Sequence, residues 1–418
     1  MRALLVVVFL GACNPAAPAP PFILRIAVSG PLDKVAPDAS SWAVVAKVLV
    51  YQRLVSVVQT GEIAPVLAAK VEDAGPDALR VWLRPGARFS DGNPVTFAEV
   101  AGSLEGSPLH ATDEGESIVI RSDGGPVPTE LLLSQIFVFR RDGDRLLGSG
   151  SFVVREEDAT HVLLTRLHPA PGLIDRVLLN SYPTQQDAFA HTLKGDADLL
   201  PEVQPRWIEF FEGVHRLRIL RANGNLGNMI AFNSRRLSRE ERVALTGLLA
   251  SNEIRLLAFG SDCTSPARRP GIEPLPAGRA LDVLSVPLFD RFAATVRRAL
   301  GPRGGSIREV QVQEFSSAVQ GGDYDLATIR PAIWPPLMAT LIWRTGSPSN
   351  IFRYSNAAVD AALDARDWKA AQRALEADPP AAFVCNQPSV VVLDARLQTP
   401  ALGAGGFFES LPEWQMRP

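Results

Sequence analysis

The chain has few of the residues that metal and redox chemistry require. Its 418 residues include three cysteines and five histidines. His110, His161, His168, His191 and His215 show no paired metal-ligand spacing, and neither Cys-x-x-Cys nor His-Glu-x-x-His occurs. No metal and no other cofactor is expected. A basic excess is also missing: the formal net charge is -3 with both signs spread along the chain, so no nucleic-acid partner is expected. No internal repeat appears, and the 34 prolines and 32 glycines are scattered, which excludes collagen and solenoids. Nucleophile motifs are absent as well. In Gly148-Ser149-Gly150-Ser151-Phe152 neither serine has a glycine two residues away, so this is no Gly-x-Ser-x-Gly elbow. Residues 224 to 228, GNLGN, lead into a strand pattern and so argue against a phosphate loop. No catalytic residue is assigned, and an enzyme is not expected.

What remains is a chain able to build large cores. Hydrophobic residues make up 46% and charged ones 21%. The length suits two or three units of roughly 100 to 200 residues each.

The first residues read as an address. Arg2 precedes the apolar run Ala3 to Leu10. That run is far short of the about 20 apolar residues that span a bilayer, and it has the size of a signal-peptide core. Leu10-Gly11-Ala12-Cys13 resembles the bacterial lipobox, in which the cysteine is acylated and becomes the mature N-terminus. Residues 14 to 21, NPAAPAPP, read as a proline-rich tether. The other reading is an ordinary signal peptide with a chance cysteine.

Along the body, short strands and helices alternate. Residues 22 to 28 read as a strand and 41 to 55 as helical. The stretch RFSDGNPVTFAEVAGSL, 88 to 104, reads as strand, Asp91-Gly92 turn, then a helix opened by a Thr96–Glu99 capping box. Residues 150 to 166 read as two strands around an acidic turn, and 183 to 200 as a helix ending at Lys194-Gly195 before a short strand. From about residue 280 the order is strand (LDVLSV), helix (PLFDRFAATVRRAL), strand (SIREVQVQEF), short helix (SSAVQGG), strand (YDLATI). That alternation marks an α/β sheet with crossover helices.

Several motifs then line up in order. Pro65-Val66-Leu67-Ala68, Phe89-Ser90-Asp91-Gly92, Thr96 to Val100, GSGSF (148 to 152), LKGDADLL, IAFNSRRL, GGDYDLATI, IFRYSNAAVDAALDA and AFVCNQPSVVV together resemble the family 5 solute-binding proteins of bacterial ABC importers. The resemblance covers residues 22 to 395. It implies the α/β periplasmic-binding-protein fold (type II), with two hinged lobes and the family's three domains. Domain I would be 22–50, 146–235 and 386–418, domain II 51–145, and domain III 236–385, shortened where SDCTSPARRPGIEPLPAGRALDV replaces a longer insert. The chain would cross between lobes near Phe232-Asn233 and again near Cys385 to Gln387.

The same resemblance implies a function and partners. The protein would be a monomer that captures a small solute, peptide-like or otherwise organic, and delivers it to ABC permease and ATPase subunits. It would sit in the periplasm or on the outer face of the cell membrane, held by a lipid on Cys13. The alternative is a sensor or chaperone-like lipoprotein that keeps the fold without transport. Peptide-binding members carry an acid after the YDLA strand that pairs with the ligand ammonium. Here that position falls at Trp334, and no acid lies between Leu326 and Ala357. A ligand held by its α-amino group is therefore not expected. Trp334 would stack on an apolar or planar ligand, or a cation, and Arg330 would pair with a carboxylate or phosphate. The bland reading makes Trp334 core and Arg330 solvated. Trp42, Tyr51, Asn228, Trp343 and Asn386 are further ligand-binding candidates near lobe edges or the hinge. Cys263 and Cys385 remain once Cys13 is used. They are either a disulfide, which an exported protein permits, or two buried thiols.

The lipobox reading is tested by metabolic labelling with a clickable fatty acid. The wild type should carry the label and Cys13→Ala should lose it; an unlabelled wild type sinks the reading.

Overall fold

The computed structural model describes residues 22–417, apart from 40, 58–62, 76, 126, 204, 262, 265–272, 332–341, 348 and 400–406. Cys13, the tether, Trp334 and much of the shortened insert lie outside the described residues. A ten-stranded mixed sheet runs through the molecule. Its order is Phe152–Glu157, His161–Arg166, Arg176–Tyr182, Ile23–Ser29, Leu199–Leu200, Ala381–Asp394, Leu217–Phe232, Leu326–Ile329, Leu281–Ser285, Gly304–Glu309. A separate four-stranded antiparallel sheet is built from Ala68–Asp73, Ala78–Leu83, Ile118–Ser122 and Leu109–Asp113.

Buried side chains sort this framework into three packed regions. The first surrounds Leu24, Ile26, Phe152, Val177 and Trp414 on one sheet face and Ala188, Phe211 and Val392 on the other. The second lies under the four-stranded sheet, from Leu54 to Val138. The third encloses Ile230, Phe292 and Leu326 on one face and Tyr324, Trp343 and Val359 on the other. Within the third region Leu281–Ser285 pairs in parallel with both Gly304–Glu309 and Leu326–Ile329, through the helices Asp290–Ala299 and Val312–Gly321. That is the α/β alternation read from sequence.

Two long antiparallel strands, Leu217–Phe232 and Ala381–Asp394, belong to both the first and third regions. On the first strand Leu217 and Ile219 pack in the first region, while Ile230 and Phe232 pack in the third. The ladder slips between Ala222 and Leu226. Ile230 and Phe232 thus pack with the third region, ahead of the Phe232-Asn233 crossing that the resemblance implies. On the second strand Ala382 to Cys385 pack in the third region and Val390 to Leu393 in the first.

Local chemistry explains the element ends. The capping box Thr96–Glu99 opens the helix Phe97–Ser103. Asp91 accepts the Asn93 amide at 2.9 Å and pairs with Arg140, which is a turn-holding role. The apolar stretch 41–55 is helical only over Val44–Val50. Its stop is GSGSF: Gly150 donates its amide to Val50 O at 2.8 Å. A Cβ on Gly148 would lie 1.9 Å from that oxygen, and one on Gly150 would lie 2.2 Å from Leu49 O, so only glycine fits either position. The strand expected to run through Phe315 ends at Glu309, because Glu309 faces Ser285, the last residue of its partner. With no ladder left, the chain turns into the helix Val312–Gly321 despite its alternating Val and Gln.

A short pattern recurs that sequence reading did not register as a repeat. Helix Gln185–Lys194 ends at left-handed Gly195, and Asp198 opens the strand Leu199–Leu200. Helix Val312–Gly321 ends at left-handed Gly322, and Asp325 opens Leu326–Ile329. Both aspartates are buried, and both are gripped by arginine. Arg25 holds Asp198 at 2.9 and 2.7 Å, and Arg279 holds Asp325 at 2.6 and 2.5 Å. Asp325 also accepts the Asp282 amide at 2.9 Å and lies 3.2 Å from Arg236. Burial alone would raise the Asp325 carboxyl; these hydrogen bonds and charges outweigh it and hold it below the usual carboxylate range.

A depressed folded-state pKa stabilises the fold above the unfolded value of about 3.9 and stops doing so as pH falls through the folded value. Asp325→Asn should cost about 2 kcal/mol at neutral pH. It should also flatten the acid limb of stability below about pH 4. Urea unfolding from pH 2 to 7 checks both. Equal acid limbs in wild type and variant would remove Asp325 as the linked group.

Candidate ligand-binding site

The two repeated strands point their carboxyl ends toward the junction between the first and third regions. In open α/β sheets, ligands bind beyond such ends. Two residues past Leu200 stands Glu202; directly after Ile329 stands Arg330. Arg330 Nη2 donates to Glu202 Oε1 at 2.5 Å, joining the first region to the third. The Arg330 side chain is 17% exposed and that of Glu202 39%. Its guanidinium also lies over the Phe289 ring, 5.6 Å from the centroid.

Arg330 lines a cavity of about 320 Å³, with walls that include Phe289, Phe315, Ile329, Ile342, Ile351 and Phe352. The remaining polar lining is sparse. Thr328 already shares a hydrogen bond of 2.9 Å with Ser285, and Ser349 contributes a second hydroxyl. No carboxylate belongs to the described lining. The size falls at the lower end of the roughly 300 to 1,000 Å³ usual for small-molecule sites. Pro331, on the same wall, accepts the Gly227 amide at 3.0 Å, so the cavity is tied to the crossing strand.

Of the sequence candidates, Arg330 is on the cavity and Trp334 lies outside the described residues. Trp343 is 6% exposed and packs on Phe352 and Tyr354 with ring centroids 5.9 and 6.2 Å away. It supports the wall from within the core and does not line the cavity. Trp42 packs against the first region's core. Tyr51 is buried there, its hydroxyl 3.3 Å from the carbonyls of Val35 and Leu146, and burial pushes its pKa up to about 12. Tyr51 lines a separate space of about 120 Å³ with Gln52, Arg53 and Glu409. There Arg53 pairs with Glu409 at 2.6 Å and caps the Phe137 ring at 4.4 Å. Burial raises the Glu409 carboxyl, and Arg53 opposes that rise.

Asn228 and Asn386 meet at the crossing. Asn228 Nδ2 donates to Gln387 Oε1 at 3.1 Å and faces the sulfurs of Cys263 and Cys385. The Oδ1 atoms of Asn228 and Asn386 are buried and find no protein partner among the described residues. Cys263 and Cys385 are joined as a disulfide with Cα atoms 5.6 Å apart, inside the usual range. Beside it Asn386 and Thr264 exchange backbone hydrogen bonds of 2.9 and 2.8 Å. Both cysteines belong to the third region's core, so the bridge fastens that region to its own half of the crossing strand. Sequence reading missed Glu202, Phe289 and Phe352. A lone acid in DLLPEVQ carries no local signal, since its partner is 128 residues away.

A second ion pair spans regions at the surface: Arg366 Nη2 lies 2.8 Å from Glu130 Oε1, linking the third region to the second. Among the described residues no group of three or more His, Cys, Asp or Glu is placed to hold a metal, and no helix is long and apolar enough to cross a membrane.

Unfolding without reductant in the presence of an alkylating agent should leave Cys263 and Cys385 unmodified by mass spectrometry. Removing both with serine should cost about 2 to 4 kcal/mol in chemical unfolding. Two alkylated thiols in the untreated protein would contradict the pairing.

Solved structures share this architecture. CtaP from Listeria monocytogenes, an ABC transporter substrate-binding protein, aligns with a TM-score of 0.77 at 16% identity, covering 95% of this chain and 99% of its own. The oligopeptide-binding protein AppA from Bacillus subtilis, in complex with a nonapeptide, gives 0.75 at 13% identity over 96% and 100%. NikA from Staphylococcus aureus, in complex with Ni(L-His)2, gives 0.75 at 12% identity over 94% and 100%. No family model and no curated protein matches the sequence. The chain has the periplasmic-binding-protein fold that the sequence motifs led us to expect.

Proposed function

We propose that the protein is the solute-binding component of an ABC importer. In this reading the first and second regions form one lobe, the third forms the other, and a ligand is enclosed between them. One observation carries it: two strands alone of the ten-stranded sheet run through both the first and third regions, while an apolar cavity lies where the repeated strand ends converge. Two adjacent antiparallel connections with a ladder slip at residues 222–226 suit a hinge, where a few residues absorb the change in backbone angle. The likeness to CtaP, AppA and NikA supports the fold on which this depends. Permease and ATPase subunits are the partners this role requires. A lipid on Cys13 would hold the chain, as a monomer, at the outer face of the membrane or in the periplasm, which the Leu-Gly-Ala-Cys site supports.

The cavity also supports a statement about what is not bound. A ligand ammonium needs a carboxylate, and an unpaired buried charge costs several kcal/mol. The described lining supplies none, and Glu202 is already engaged by Arg330. Free-amino di- to pentapeptides should therefore give no thermal shift and no calorimetric signal. An uncharged apolar library should yield binders that also compact the protein in small-angle scattering. Tight peptide binding that disappears on N-acetylation would overturn the ligand class, and binders without compaction would overturn the hinge.

A further inference from the structure

The cavity contains one unusual economy. Among the described lining residues Arg330 is the only cation, and in this structure it is paired with Glu202. Its partner does not come from the cavity wall or from the third region. Glu202 is carried on the opposite side of the junction, held in place by neighbours of its own. Val203 packs in the first region's core, its amide donates to Val390 O at 3.0 Å, and Gln185 reaches the Glu202 carbonyl at 3.5 Å. The anion is thus presented from the first region to the cation of the third.

Resting on the solute-binding reading above, we infer that Glu202 is the specificity-determining residue of this site. It acts as an internal stand-in for a ligand's acid group. With Glu202 in place, Arg330 is neutralised, and among the described lining residues the cavity offers a bound solute apolar walls and two hydroxyls. An uncharged apolar solute fits without disturbing the pair. A carboxylic acid has two poor options. It can enter beside a satisfied ion pair and leave its own charge without a cation, or it can displace Glu202 and leave that carboxylate facing the incoming one. Both options cost affinity. Glu202 therefore selects by charge, rejecting acids that the guanidinium alone would attract. An arginine in an otherwise apolar pocket reads as an acid-binding site when the pocket is viewed without the opposite region. The pairing across the junction reverses that reading.

Three matched probes test this: 4-phenylbutanol, 4-phenylbutanoate and 4-phenylbutylamine, titrated by calorimetry and ligand-observed NMR. The purified full chain is compared with Glu202→Gln, which keeps shape and removes charge. It is also compared with Glu130→Gln, which weakens the other cross-region pair away from the cavity. The wild type and Glu130→Gln should prefer the alcohol to the acid by about tenfold. Glu202→Gln should gain about tenfold for the acid, lose that gain in high salt, and keep alcohol affinity within about twofold. The amine should stay the weakest binder of the wild type.

If the acid binds wild type as tightly as Glu202→Gln, the inference is overturned while the binding site stands. An equal gain in Glu130→Gln would assign the effect to looser closure and overturn it as well. If no probe binds any of the three folded proteins, the solute-site reading itself fails. Circular dichroism and unfolding midpoints establish that each variant is folded.

Discussion

A buried aspartate gripped by an arginine is the interaction on which the junction depends, and it occurs twice. Asp198 with Arg25, and Asp325 with Arg279, each fix the start of a strand that opens after a left-handed glycine. Buried carboxylates are tolerable only when their charge and lone pairs are met. Each aspartate therefore has little freedom to shift, and the strand it opens inherits that restriction. The strands are short, Leu199–Leu200 and Leu326–Ile329, so their far ends are fixed almost as tightly as their near ends. Those far ends carry Glu202 and Arg330. The distance across the junction is thus set by two anchors at the opposite ends of the strands.

The crossing strands impose the complementary constraint. They must be continuous enough to keep the two regions in register and weak enough at one place to bend. The ladder slips between Ala222 and Leu226 and again between Asn228 and Met229. The disulfide sits on the third-region side of the first slip, as do Asn228 and the Thr264–Asn386 bridge. In the hinged reading, a bridge spanning the first slip would hold the two regions fixed. In its actual position it fastens the third-region side of the crossing alone.

How much of this was legible in the sequence follows from the range of each interaction. The Thr96–Glu99 cap, the Asp91 turn and the Gly195 stop are decided within a few residues, and the sequence displays them directly. The α/β alternation of the third region is equally local in its periodicity. The helix stop at Val50 was not legible, because it comes from Gly148 and Gly150, distant in the chain. The strand-like Val310 to Gln313 became partly helical because its pairing partner ran out, which no window of sequence reveals. In the site, Arg330 was legible as a cation after a predicted strand. Trp343 packs behind the described wall, and an aromatic near a wall and one behind it look alike in sequence.

The site's chemistry turns on the residue that sequence reading could not pair. Read alone, Arg330 suggests attraction for acids; read with Glu202, it presents a neutral surface. The difference comes from where the carboxylate is carried. An acid on the third region would move with Arg330 and neutralise it in every state. Glu202 is on the first region, so in the hinged reading proposed above an opening would separate the two charges and expose both to water, where their attraction is weak. Closing brings them together as the cavity is covered, when the surroundings become less polar and the pair becomes stronger. In the proposed solute-binding reading the same contact would close over a solute and neutralise the cavity. Charge selection and closure are consequently one event, and a solute that competes for Arg330 opposes the motion that would enclose it.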